Sequence, residues 1–106
     1  MAKASYHLCL QIGETAQIQS GGLLRATPHA VRSIRSNLPI SRESFAVFME
    51  PEFDAVMTLP EGVTAEDALA QGAAFVLPQG VPALADRWTP GITFGEFTER
   101  TLAAYW

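Results

Sequence analysis

Ser41-Arg42-Glu43-Ser44-Phe45-Ala46-Val47-Phe48-Met49-Glu50-Pro51 is the stretch on which the fold turns. Residues Arg42 to Met49 form a short run, rich in Phe and Val and closed by Glu50-Pro51, which is the composition of a β-strand. Side chains alternate faces along a strand, so Arg42, Ser44, Ala46 and Phe48 share one face while Glu43, Phe45, Val47 and Met49 share the other. Arg42 and Ser44 therefore point the same way.

Upstream, residues 6 to 12 (Tyr-His-Leu-Cys-Leu-Gln-Ile) have the β-prone composition and short length of a strand, ended by Gly13. Residues 14 to 20 lead into Gly21-Gly22, where the absence of a Cβ permits a tight turn with positive φ. Leu23 to Ala26 and Ala30 to Ile34 read as one strand bent at Pro28, a residue that cannot donate to a ladder. The polar segment Ser33 to Ser41 suits a loop between two antiparallel strands.

Downstream, a shorter strand is expected at Ala55 to Leu59, before the Pro60-Glu61-Gly62 turn. Thr64 stands where a helix N-cap would, with Asp67 three residues on as an approximate capping box and Gly72 suited to the C-terminal stop. Residues 74 to 92 are dense in Pro and Gly and read as ordered loop. The last helix is better specified: Thr93-Phe94-Gly95-Glu96 is a capping box, and Phe94, Phe97, Thr101, Leu102 and Tyr105 recur at roughly helical spacing. Strands before helices give the class α+β, with a mainly antiparallel sheet.

The chain has 106 residues and is 48% hydrophobic, enough for one core and too short for two domains, so residues 1–106 are expected to form a single domain. Its net charge is −4 and its seven basic residues are dispersed, which argues against nucleic acid as a partner. A single cysteine, Cys9, excludes an internal disulfide and a thiolate zinc site, and is expected to be a buried small apolar residue. No apolar run approaches about 18 residues and no apolar leader opens the chain, so we expect a soluble, intracellular protein without a membrane partner.

The stretch from Gly13-Glu14 through Thr27-Pro28-His29-Ala30-Val31 to Arg42-Glu43-Ser44-Phe45 and Pro51 resembles the C-terminal half of the isopenicillin N synthase-like family of non-haem iron, 2-oxoglutarate-dependent dioxygenases. The resemblance spans Leu8 to Asp54 and returns more weakly in Arg87-Trp88-Thr89-Pro90-Gly91 and the final helix. It implies a partial double-stranded β-helix, the jelly-roll core of that family, with C-terminal helices. It also implies Fe(II) and 2-oxoglutarate as cofactors: His29 as an iron ligand, Arg42 in a bidentate salt bridge with the distal carboxylate of the oxoacid, and Ser44 adding a hydroxyl hydrogen bond. The residue chemistry agrees, since guanidinium forks suit carboxylates and neutral imidazole suits Fe(II).

The family's His-x-Asp motif, source of the other two iron ligands, has no counterpart here; the second histidine, His7, sits in His7-Leu8-Cys9. The facial triad is therefore not assembled from this chain alone by the family's route. Glu14 follows a strand at a turn, and we assign it a structural role. Phe45, Phe48 and Phe53 are expected in the core, and Tyr105-Trp106 over a groove or against a neighbour. A full jelly roll needs roughly eight strands, more than are readable here. An open sheet edge then calls for completion by a second copy or by a missing N-terminal half. Two functions follow: a cosubstrate-binding portion of an oxygenase oxidising a small organic substrate, or an inactive remnant serving as an oligomerising or protein-interaction module.

Overall fold

Both capping boxes form. The structure, a computed structural model, describes residues 7–32, 35, 37–70 and 76–106, and among these it contains four helices. Helix α1 is Glu14–Gln19, α2 is Ala65–Leu69, α3 is Leu84–Arg87 and α4 is Phe94–Tyr105. At the start of α2 the Thr64 hydroxyl accepts from the Asp67 amide at 3.2 Å while the Asp67 carboxylate accepts from the Thr64 amide at 3.0 Å. The Thr64 hydroxyl also donates to the Asp67 carboxylate at 2.7 Å, and this bond, followed by that from the Thr64 amide, holds the Asp67 carboxyl below the ordinary carboxylate range. Thr93 and Glu96 repeat the arrangement at α4.

Helix α1 occupies the residues that lead into Gly21-Gly22, where the sequence predicts no regular element. Its last turn closes in a Schellman motif, in which the Gly22 amide donates to Gln17 O at 2.8 Å and the Gly21 amide to Ile18 O at 2.9 Å. Gly21 and Gly22 have φ of 64° and 82°, the left-handed turn expected of this pair. Gly22 has a second reason to be glycine: a Cβ there would lie 2.6 Å from the carbonyl oxygen of Asp67, so α2 could not approach α1.

The expected sheet is absent. Among the described residues the only β pairing is one antiparallel bridge, Val56 with Thr93. Around it Met57 donates to Ile92 O at 3.1 Å, and Phe94 and Gly95 donate to Ala55 O and Phe53 O, each at 2.8 Å, so the expected Ala55–Leu59 strand shrinks to a clamp on the start of α4. Residues 7–12, 23–32 and 42–49 are coil, which removes the antiparallel sheet, the jelly roll and the double-stranded β-helix. The physical reason is pairing: β-composition stabilises a strand only where a neighbouring strand takes its amides and carbonyls, and none lies alongside among the described residues. Ser33, Ile34 and Gly72, which carried parts of the loop, strand and helix-stop expectations, lie outside the described residues. The 74–92 loop is corrected where it is described: it contains α3, which places Leu84, Arg87 and Trp88 at the centre of the molecule.

The core is built from Ile18, Met57, Leu84, Trp88, Ile92, Phe94 and Phe97, with Leu59, Ala65 and Leu69 packed against it. It unites α1, residues 53–70 and residues 84–105. None of the described residues between 23 and 50 is buried. Phe45, Phe48 and Phe53, expected inside, are 94%, 81% and 61% exposed, and Cys9 is exposed as well. A compact chain of 11.5 kDa presents about 5,800 Å² to water, whereas this one presents 9145 Å². Its radius of gyration, 17.2 Å, likewise exceeds the roughly 13 Å of a compact 106-residue domain.

Candidate functional site

Gln17 on α1 fixes where the chain goes after the glycine turn. Buried, it donates through Nε2 to Ala68 O at 3.0 Å and accepts at Oε1 from the Ala26 amide at 2.9 Å. The primary amide thus ties α2 and the 23–26 segment to the same helix, using a side chain with a donor and an acceptor at one end. The segment Ala26-Thr27-Pro28-His29 then forms one wall of a cleft of about 260 Å³. Glu14 and Gln17 of α1, Leu84 of α3 and Tyr105 of α4 also line it.

His29 is exposed, and its Nδ1 lies 3.1 Å from Thr27 O. A carbonyl partner requires N–H at Nδ1, leaving Nε2 as the open acceptor of the neutral ring. The carboxylate in the same cleft, Glu14, is already committed. Arg87 donates to its two oxygens from Nη1 at 2.7 Å and from Nη2 at 2.5 Å. The guanidinium also donates to Thr101 Oγ1, Pro82 O and Ala83 O, and its centre lies 5.7 Å from the Phe97 ring and 6.0 Å from the Tyr105 ring. Arg87 is 1% exposed with all its donors engaged, a buried cation held by a bidentate carboxylate. Glu14 is structural as expected, although from the first turn of a helix rather than a turn after a strand.

Arg42 and Ser44 do not line this cleft; they are exposed, on coil residues 40–50 that make no hydrogen bond among the described residues. The structure therefore does not gather His29 with the Arg42-x-Ser44 pair: His29 lines the cleft, and the other two do not. No group of three His, Cys, Asp or Glu able to hold a metal occurs among the described residues, and His7 is exposed coil. With Glu14 bound to Arg87, the residues present do not fit an iron centre at His29, which corrects the metal-binding expectation for the chain as it stands. Arg42 retains an unengaged guanidinium suited to a carboxylate.

Sequence reading missed Arg87. It lies 73 positions from Glu14, and no local pattern links residues so distant. Its only trace is an arginine beside a tryptophan in a segment without helical period. Comparison with family models, with curated proteins and with solved structures gives no match for this chain. No helix among the described residues is long and apolar enough to cross a membrane.

Proposed function

We propose that the chain is a protein-interaction module, in which the helical unit is the scaffold and residues 40–50 are the docking segment. One observation carries the reading: Phe45, Val47, Phe48 and Met49 are consecutive or nearly so, 75–94% exposed, and sit on backbone whose amides and carbonyls have no partner among the described residues. Soluble proteins seldom leave contiguous apolar side chains and unpaired backbone uncovered together. Hydrogen exchange on a dilute sample tests it. Amides 41–50 should exchange at the rates of an unfolded peptide while those of α4 are protected. Protection of 41–50 in a species of monomeric mass would overturn the reading, because the chain would then cover the segment itself.

A second reading is favoured by the residues that this segment carries. Arg42 and Ser44 are free to anchor the carboxylate of an oxoacid such as 2-oxoglutarate, as the resemblance to the dioxygenases implies. Arg–carboxylate hydrogen bonds contribute about 1.5–3 kcal/mol. Calorimetric titration of 2-oxoglutarate, with Mn(II) under anaerobic conditions, should therefore give binding that Arg42→Ala weakens roughly ten- to hundredfold. Absence of heat with the native chain, or equal heat with the variant, removes the anchor role.

A further inference from the structure

The docking segment has the chemistry to pair with itself. Resting on the interaction-module reading, we infer that its partner is a second copy of this chain, joined by antiparallel pairing of residues 42–50 about a two-fold axis at Ala46. Ser44 to Met49 contain no charge, no Pro and no Gly and are rich in β-prone side chains, the composition that pairs with identical segments. A two-fold axis normal to a two-stranded ribbon keeps each residue on its own face, so the register can be read off directly. Centred on Ala46, Arg42 lies opposite Glu50 of the second copy, Ser44 opposite Phe48, and Phe45 opposite Val47.

Charge selects this register. Each end of the ribbon closes with an Arg42–Glu50 pair, and the two-fold makes two of them, while the apolar residues meet between. Pro51, which has no N–H, falls just outside the paired stretch, where it ends the ladder. A shift to an axis at Val47 draws Pro51 into the ladder opposite Glu43.

The area suits a dimer as well. The chain presents roughly 3,300 Å² more than a compact monomer of its mass, and a stable dimer needs about 1,200–2,000 Å² buried in total from both partners. The exposed Leu23, Val31 and Ile40 stand in the same uncovered part of the chain and can add to the contact.

Sedimentation analysis at micromolar concentration is expected to show twice the 11.5 kDa mass. Phe45→Lys should reduce it to a monomer with the helical circular dichroism retained. Arg42→Glu and Glu50→Arg should each raise the dimer dissociation constant about tenfold, and their combination should return it to within about threefold of native. In a Cys9→Ser background, Ala46→Cys should oxidise to an interchain disulfide whereas Ser44→Cys should not. Cysteines at position 44 would stand roughly 13 Å apart along the ribbon, beyond disulfide reach.

A monomer at all concentrations overturns the second copy as the partner, and so does a dimer that survives Phe45→Lys, a cross-link forming equally at position 44, or an open series of higher oligomers. Such a monomer with freely exchanging amides 41–50 leaves the interaction module standing with a different polypeptide as its partner. A monomer with those amides protected removes both.

Discussion

Trp88→Ala is expected to destabilise the chain by about 3–5 kcal/mol, the largest effect of any single substitution in the molecule. Trp88 is 1% exposed and packs among Ile18, Met57, Leu84, Ile92, Phe94 and Phe97, so truncation removes a large apolar surface and opens a void that rigid neighbours cannot fill. A chain of this length has on the order of 5–15 kcal/mol of total stability. Thermal unfolding followed by circular dichroism should show the midpoint lowered by roughly 15–30 °C. Trp88→Phe serves as the control with a sharper meaning. The indole Nε1 is buried without a hydrogen-bond partner among the described residues, and leaving such a donor unmet costs about 1–3 kcal/mol. Phenylalanine removes that donor while keeping most of the ring, so its loss should stay within about 1–2 kcal/mol. Equal damage from Phe and Ala would show that the indole N–H is bonded in solution.

Glu14→Ala is expected to cost about 3 kcal/mol, by a different route. Removing one member of a buried ion pair leaves the other charge uncompensated, and Arg87 cannot reach water. The loss falls at the lower end of the range for buried pairs because Glu14 is itself 33% exposed, so solvent can enter the vacated position. Arg87 would keep the Pro82 and Ala83 carbonyls and the Thr101 hydroxyl, neutral acceptors that only partly offset the charge. The double variant Glu14→Ala/Arg87→Met, which removes both charges and keeps the apolar volume, should be more stable than Glu14→Ala alone. A coupling energy of about 2 kcal/mol from the double-mutant cycle is expected. Simple additivity would reduce the pair to a surface contact.

What could be read in the sequence was what is local. Thr64 with Asp67 and Thr93 with Glu96 announced two helix starts because a capping box is complete within four residues, and Gly21-Gly22 announced a left-handed turn for the same reason. Helix α1 was hidden because Gly13 caps it without a side-chain bond and six residues carry little period. Helix α3 was hidden by its length, four residues between prolines. The strand at Arg42–Met49 failed for the opposite reason: its local preference is strong, but strand formation is a property of pairs, and no second strand lies beside it among the described residues. At the candidate site, Glu14 was recognised as structural, whereas Arg87 and Gln17 act over separations of 73 and 51 residues, which no motif spans. The His29 and Arg42-x-Ser44 spacing is legible as a resemblance, and of its members only His29 lines the cleft.

The Glu14–Arg87 clasp also sets an order of events on the ribosome. Glu14 emerges 73 residues before its partner, and Thr101 and the Tyr105 ring that complete the enclosure come later still. At roughly 5–20 residues per second, several seconds separate the two halves of the clasp. During that interval residues 23–50 come out, carrying Phe45, Val47, Phe48 and Met49, while the core that holds α1 has not been made. Nascent chains on one polysome thus present the same exposed apolar segment side by side, before any of them possesses a folded body.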